Sequence, residues 1–259
     1  MPRNTLKRTH SARSASRRLK ALSNARRAKI LAWFLKTGPG EYGEGDRFLG
    51  INVPILRREA KAFSELELPE IRRLLSSPWH EERFFALLIL IRRFERAESA
   101  ERERIFRFYL AHLRSVNNWD LVDLSAPSIV GVHLAGKNVA LLRRLVRSRV
   151  LWERRVAIVA TFAFLRRGKL GPTFELARRL LDDPEELLHK AAGWALREAG
   201  KKDAALLRAF LDRHAHVMPR TMLRYAIEKF PRSERLEWLG RRPSVSAAKP
   251  RIGKSSNRD

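Results

Sequence analysis

Trp119 and Asp123 are the two residues whose types and spacing best fit chemistry on a charged substrate. They lie in the segment Asn117-Asn118-Trp119-Asp120-Leu121-Val122-Asp123, where a helix is predicted to begin. Residues four apart share one face of a helix, so the aromatic ring and the carboxylate lie side by side. The alternative is a core tryptophan with an exposed aspartate near a helix N-terminus, but the apolar neighbours of Asp123 favour partial burial.

Arg155 is a candidate for holding a phosphate. It lies about one helical turn from Trp152, and the planar guanidinium fork matches the geometry of phosphate oxygens. Two alternatives stay open for Arg155, which are a solvated position on the helix surface and a salt bridge with Glu153 or Asp123.

Trp194 is a second aromatic candidate. It follows Gly193, with Lys190 four residues before it and Arg197 three residues after it. A large ring between two cations is a reasonable surface for a sugar or a base. Core packing is the alternative, because buried positions are usual for a large aromatic ring.

The charge of the chain points to a nucleic acid or another anionic partner. The 259 residues include 54 Lys and Arg against 28 Asp and Glu, a formal net charge of +26. Such an excess is typical of proteins that bind polyanions, although an Arg-rich or ribosome-associated protein would share it. Residues 1–40 hold eleven basic residues and no acid. We therefore expect a flexible basic arm over 1–19, a folded domain over 20–240 and a flexible basic tail over 241–259.

Several classes of function are excluded or disfavoured by composition. The chain has no cysteine, which excludes disulfides, thiol catalysis and Cys-ligated zinc. The seven histidines show no metal-ligand spacing, so no metal site and no cofactor are expected. No apolar run approaches about 18 residues, so no membrane span is expected. We expect a cytoplasmic, nucleoid-associated monomer.

Apolar residues recur with helical spacing after residue 20, and no alternating strand pattern stands out. The predicted class is all-α. Twelve helices are predicted, over about 21–36, 54–64, 68–76, 79–96, 99–114, 119–133, 137–148, 151–166, 172–182, 185–200, 203–214 and 218–230. Residues 37–50 form the one long loop. Its glycines lack the Gly-Lys-Ser/Thr ending of a phosphate-binding loop, so we interpret it as an ordered connector that borders the active face.

Three helix openings resemble one another, at 78–86, 151–157 and 184–192. They align Ala86, Ala157 and Ala192, with separations of about two periods and one period of a 35-residue repeat. Paired helices at such a period are typical of an α-solenoid, here of HEAT-like repeats. A curved single domain with a concave basic face is expected, and that face would suit a duplex.

The chain resembles the AlkC/AlkD-type family of DNA alkylation-repair glycosylases over about residues 20–230. The resemblance rests on motifs in a specific order, which are Phe48-Leu49-Gly50-Ile51 with Pro54 and Arg57-Arg58, Trp119–Asp123, Trp152-Glu153-Arg154-Arg155, Lys190–Glu198 and Arg224-Tyr225-Ala226-Ile227. The family has an all-helical HEAT-like fold, which agrees with the repeat described above.

The resemblance implies a function and a site. It implies hydrolysis of the N-glycosidic bond of cationic N3- or N7-alkylated purines in duplex DNA, without obligatory base flipping, metal or cofactor. Trp119, Asp123 and Trp194 would form the catalytic cleft, and the predicted DNA-binding residues are Arg155, Lys190, Arg197, Arg224 and Phe34. Phe34 stands where family members can carry a tyrosine. The alternative function is a non-catalytic HEAT-like protein that binds distorted or branched DNA, and a helical-repeat scaffold is a third.

Overall fold

The computed structural model describes residues 11–241, which are helical and contain no β-strand. The chain divides into two compact units, Met1–Lys169 and Leu170–Asp259. The first holds α1 to α11 and the second α12 to α16. The bounds are α1 Ala12–Lys20, α2 Ala25–Phe34, α3 Val53–Ala62, α4 Leu68–Leu75, α5 His80–Arg96, α6 Ser99–Ala111, α7 Trp119–Ser125, α8 Val132–Leu134, α9 Ala140–Leu145, α10 Leu151–Ala160, α11 Phe162–Arg166, α12 Gly171–Arg179, α13 Glu186–Gly200, α14 Ala204–His214, α15 Arg220–Ala226 and α16 Arg232–Gly240.

The predicted class is confirmed, since helices pack on their neighbours along the chain as in an α-solenoid of helical repeats. The three similar segments each open a helix, at His80, Leu151 and Glu186. Their aligned residues Ala86, Ala157 and Ala192 are all fully buried. A methyl side chain at these positions permits close helix packing, which explains the shared pattern. None of the helices within residues 11–241 is long and apolar enough to cross a membrane.

The helix α5 is the centre of the first unit. It packs against α3, α4 and α7, and its residues from His80 to Ile91 are all buried. The four residues that open it are polar, namely His80, Glu81, Glu82 and Arg83. Buried polar groups require hydrogen-bond partners to offset the loss of water, so each of these side chains marks a point where another segment is attached to α5.

The N-terminal arm predicted over 1–19 must be shortened. Residues 12–20 form α1, which Ser11 caps by accepting from the Ser14 N–H at 3.1 Å. Ala15 and Leu19 are fully buried, and the Ser16 hydroxyl donates to Glu82 at 2.6 Å. The prediction missed this helix because its sequence is rich in Arg and Ser. Its few apolar residues lie on one face. Residues 1–10 and 242–259, which carry the rest of the predicted arm and nearly all of the tail, lie outside the described residues.

Two predicted helices are interrupted, and a second helix besides α1 was missed. The helix predicted over 119–133 ends at Ser125, and a π-helical turn over Pro127–Gly131 follows before α8. A proline cannot donate the next helical hydrogen bond, which accounts for the break. The helix predicted over 151–166 divides at Thr161 into α10 and α11. The last helix, α16, was not predicted.

In the second unit α13 packs against α12, α14 and α15. Gly193 lies where α13 meets α15. A Cβ atom at this position would stand 2.5 Å from the Met222 carbonyl oxygen and 2.5 Å from the Tyr225 Cβ. Because backbone cannot move away as a flexible side chain does, only glycine fits this crossing.

We expect Gly193→Ala to lower the free energy of unfolding by about 1–3 kcal/mol, the usual cost of overpacking a close helix contact. Urea unfolding followed by circular dichroism would measure it. Gly171→Ala is the matched control, because a Cβ there meets nothing within 4 Å. Equal stability of the two variants would contradict the close crossing.

Candidate functional site

The N-terminal turn of α7 carries the candidate site. Asn118, which is fully buried, caps the helix by accepting from the Trp119 N–H at 2.8 Å, as an N-cap residue does. The Trp119 ring is half-buried and meets Phe34 at the end of α2 edge to face, with ring centroids 5.7 Å apart. Trp119 thus lies between a fixed helix terminus and an exposed phenyl ring.

Asp123 lies one turn further along α7 and forms a bidentate ion pair with Arg155 of α10. The Arg155 Nε and Nη2 atoms donate to the two carboxylate oxygens at 2.9 and 2.8 Å. Arg155 is buried, whereas 18% of the Asp123 side chain is exposed. Such a fork fixes the plane of a carboxylate, so Asp123 is held in one orientation with one part of it open to solvent.

Arg155 was expected on the DNA backbone, but the structure buries it against Asp123. This arrangement is the salt-bridge alternative from the sequence. A buried guanidinium that already grips a carboxylate is poorly placed to hold a phosphate, since its positive charge is neutralised by Asp123. We therefore assign Arg155 to the orientation of Asp123.

The groups around Asp123 have opposite effects on the pKa of its carboxyl. Burial raises the pKa of the Asp123 carboxyl, the ion pair with Arg155 works against this, and the charge of Asp120 adds to the increase. The net direction is upward. A carboxylate with incomplete hydration has an electric field that water screens less, which suits it to a substrate with positive charge.

A buried histidine holds the beginning of α7 in place. The His80 Nε2 atom lies 2.8 Å from the Asp120 Oδ2, and its Nδ1 atom lies 2.9 Å from the Asp46 Oδ2. Arg83 donates to the other oxygen of Asp46 at 2.6 Å and to the Ser77 carbonyl at 2.9 Å. One imidazole therefore joins α5, the loop over 37–50 and α7.

This histidine is an imidazolium at neutral pH. Burial alone would lower the pKa of His80, but the hydrogen bonds to Asp120 and Asp46 outweigh it and raise the pKa from 6.5 to about 9. Burial alone would likewise raise the pKa of Asp46, and His80 and Arg83 together lower it below its ordinary value. With both ring nitrogens protonated, His80 donates to both carboxylates.

The loop over 37–50 is an ordered part of the site. At its end, Glu81 accepts from the N–H groups of Leu49, Gly50 and Ile51 at 2.8, 2.7 and 3.2 Å. Gly50 has a φ of +80° and touches the backbone of α2 at Asn24 and Ala28, so no larger residue fits. Through these contacts the motif over 48–51 joins the beginning of α2 to the beginning of α5.

The same loop contributes to another pair of rings in the first unit. Tyr42 meets Trp152 of α10 edge to face, with centroids 5.9 Å apart. Trp152 lies three residues before Arg155, so the loop borders the helix that holds Asp123. The interpretation of this loop as an ordered connector agrees with its contacts.

The structure brings together Phe34, Trp119, Asp123 and Arg155 in the first unit. The other predicted site residues lie in the second unit. There Trp194 is half-buried on α13, Lys190 pairs with Glu186 at 3.3 Å, and Arg197 pairs with Glu198 at 3.2 Å and with Glu228. Arg224 is exposed on α15.

Sequence reasoning missed the supporting residues His80, Asp46 and Arg83. The available signal was the run of four polar residues directly before the apolar stretch of α5, since such a run needs partners if the helix is central. Within the described chain, no group of three His, Cys, Asp or Glu residues could hold a metal ion.

Comparisons with known proteins show the family of the chain. Residues 15–230 match the model of a family described as DNA alkylation repair enzyme, so the chain belongs to that family, and the resemblance drawn from the sequence is confirmed. A solved structure of a predicted DNA alkylation repair enzyme from Enterococcus faecalis is similar in fold. Its TM-score is 0.63 at 17% identity, over 81% of this chain and 97% of that one. No curated protein matches the chain.

We expect the stability of the protein to fall as the pH rises toward 9. The folded pKa of His80, about 9, exceeds its ordinary value of 6.5, so its contribution is complete below 6.5 and is lost as the pH passes through 9. The expected decrease in the free energy of unfolding is about 3 kcal/mol.

Urea unfolding at pH 6.5, 7.5 and 9 measures this decrease. The variant His80→Gln keeps a polar side chain without the charge, and its stability should be lower and nearly constant over the same range. Parallel pH profiles for the wild type and His80→Gln would show that His80 is not the titrating group.

Proposed function

We propose that this protein is a monofunctional DNA glycosylase that hydrolyses the N-glycosidic bond of cationic N3- or N7-alkylated purines in duplex DNA, such as 3-methyladenine and 7-methylguanine. Membership of the DNA alkylation repair enzyme family supports a role in repair. The observation that carries the finer proposal is the partly exposed Asp123 carboxylate, fixed by Arg155 one helical turn from the Trp119 ring.

Cleavage of the N-glycosidic bond of such a base does not require the protein to supply a general acid. Alkylation at N3 or N7 gives the purine a positive charge, so it departs as a neutral base without protonation. The C1′–N bond then breaks through an oxocarbenium-like state, as in other glycoside hydrolyses. Positive charge moves from the base to the sugar, and an enzyme accelerates the step by stabilising that charge.

Asp123 is suited to this task because its position is fixed before the substrate arrives. Each carboxylate oxygen carries two lone pairs, so the bonds from Arg155 leave acceptor capacity for a cationic sugar and for the attacking water. The face of the Trp119 ring adds cation–π attraction. Arg155 acts by orienting Asp123, and DNA backbone contacts fall to other basic residues.

Trp194, Lys190, Arg197 and Arg224 remain proposed site residues on the strength of the sequence resemblance. Phe34 is proposed to contact DNA because it is exposed and touches Trp119. It carries no hydroxyl, so its contact is apolar. The proposed DNA-binding activity also agrees with the net charge of +26, since phosphate neutralisation supplies much of the affinity for a duplex.

We expect Asp123→Asn to reduce the release of 7-methylguanine and 3-methyladenine from methylated duplex DNA about 100-fold or more, the usual cost of losing one preorganised electrostatic group. The asparagine amide oxygen still accepts one of the two hydrogen bonds from Arg155, and circular dichroism checks that the variant is folded. Single-turnover release measured by chromatography is the readout.

Asp212→Asn is the matched control, because Asp212 also pairs with an arginine, Arg241, at 3.0 Å but lies on α14. It should release base at the wild-type rate. A folded wild type that binds DNA and releases no base would overturn the proposal in favour of the non-catalytic DNA-binding alternative.

We also expect the chain ends to strengthen DNA binding. Removal of residues 1–10 and 243–259 takes away three and four basic residues respectively. Fewer released counterions should weaken the affinity and flatten the plot of log K against log salt concentration. Fluorescence anisotropy at several salt concentrations tests this, and an unchanged slope would show that neither end contacts DNA. Residues 11–19 are kept, because α1 is part of the fold.

A further inference from the structure

The helix α2 has two different faces. Its inner face carries Leu31 and leads to Leu35, which line a cavity of about 300 Å³ beside His80 and Phe48. The residues of its outer face recur at helical spacing, and they are Arg26, Lys29, Ile30 and Trp33. Phe34 stands at the edge of this outer face. Two basic side chains at the start of α2 and two apolar side chains toward its end therefore form one stripe that faces away from the core.

The exposure of the outer face is unusual. Trp33 is 74% exposed and Ile30 is 57% exposed. No residue within α2 is buried. The Lys36 ammonium lies over the Trp33 ring, 5.5 Å from its centroid. Adjacent exposed apolar side chains mark interaction surfaces more often than chance positions do, and this one is bordered by cations.

The partner must be anionic and offer flat apolar surfaces. Residues 11–40 include no acid. At the flank of the stripe, Lys36 forms a loose ion pair with Glu41 at 3.8 Å. Stacked bases framed by phosphates offer both features. The stripe is also continuous with the candidate site, because Phe34 follows Trp33 and contacts Trp119.

We infer that the outer face of α2 is a wedge for duplex DNA, in which Trp33 and Ile30 press between base pairs beside the base held near Trp119, while Arg26 and Lys29 contact phosphates. This inference rests on the proposed function and adds a surface to it. Apolar wedges of this kind unstack a base step and kink the duplex. Partial unstacking next to the damaged nucleotide would bring its sugar toward Asp123 without turning the base into a pocket.

The dimensions of α2 agree with this placement. Arg26 and Trp33 are seven residues apart, which is about 10 Å along a helix that rises 1.5 Å per residue. Successive phosphates on one strand are spaced about 3.4 Å along the duplex axis. Arg26 would therefore meet the backbone about three nucleotides from the step that Trp33 enters.

The variant Trp33→Ala tests the wedge. Because the ring is exposed, the variant should fold as the wild type does. Its affinity for an undamaged 20-base-pair duplex, measured by fluorescence anisotropy, should fall about tenfold, as expected for the loss of one base–aromatic stack. Its salt slope should stay constant, whereas Lys29→Ala should reduce the slope by about one. Trp33→Phe should restore most of the affinity.

A matched control and a second readout sharpen the test. Leu236→Ala removes a side chain that is 61% exposed on α16, and it should bind as the wild type does. With 2-aminopurine placed at successive positions, the wild type should alter the emission at one base step, and Trp33→Ala should remove that signal. Unchanged affinity and emission in Trp33→Ala would overturn the inference. So would a change in sedimentation alone, because the face would then join two copies of the chain.

The failure of this inference can be told apart from the failure of the proposed function. Base release by the wild type is measured separately from binding. A wild type that releases no base but binds DNA through Trp33 overturns only the glycosylase proposal. A wild type that releases base while Trp33→Ala binds equally well overturns only the wedge.

Discussion

The charged contacts of His80 determine where the candidate site lies. Its ring is buried at the start of α5 and reaches Asp46 in one direction and Asp120 in the other. An imidazolium between two carboxylates compensates the burial of the ring, whereas removal of its charge would leave Asp120 without this cation and Asp46 with Arg83 alone. The loop over 37–50 and the helix α7 are thus fixed to the same residue. Trp119 and Asp123 occupy a defined place because α7 does.

A second ion pair, between Asp123 and Arg155, completes the arrangement and separates two roles that the sequence could not distinguish. An arginine near a predicted DNA surface suggests a phosphate contact, but here it fixes the plane of a carboxylate instead. The positive charge of Arg155 is neutralised inside the protein, and the Asp123 carboxylate remains partly exposed. The protein has a net charge of +26, yet the Asp123 carboxylate is a negative charge held at one fixed point. This charge repels phosphate groups and attracts cationic groups.

Much of the fold could be predicted from the sequence, because helical periodicity survives within each element. The openings of α5, α10 and α13 were recognised from their shared pattern, and their aligned alanines are buried. The failures have physical causes. Helix α1 has too few apolar residues for its period to stand out, and α7 is cut short by Pro127 in a stretch whose apolar spacing continues. At the candidate site, Trp119 and Asp123 could be singled out because their spacing places them on one face of one helix. His80, Asp46 and Arg83 were missed because their partners are distant in the sequence, and no local pattern records a contact of that kind.

These distances along the chain have a consequence for how the protein acquires its site. The contacts of His80 with Asp46 and Asp120 join residues 34 and 40 positions apart, and that of Asp123 with Arg155 joins residues 32 apart. Helices of the solenoid form from local contacts, which close quickly, whereas long loops close slowly. During synthesis from the N-terminus, α7 is complete before Arg155 exists. The carboxylate therefore gains its orientation only after α10 has been made and docked, so a nascent or truncated chain has helices before its candidate site is assembled.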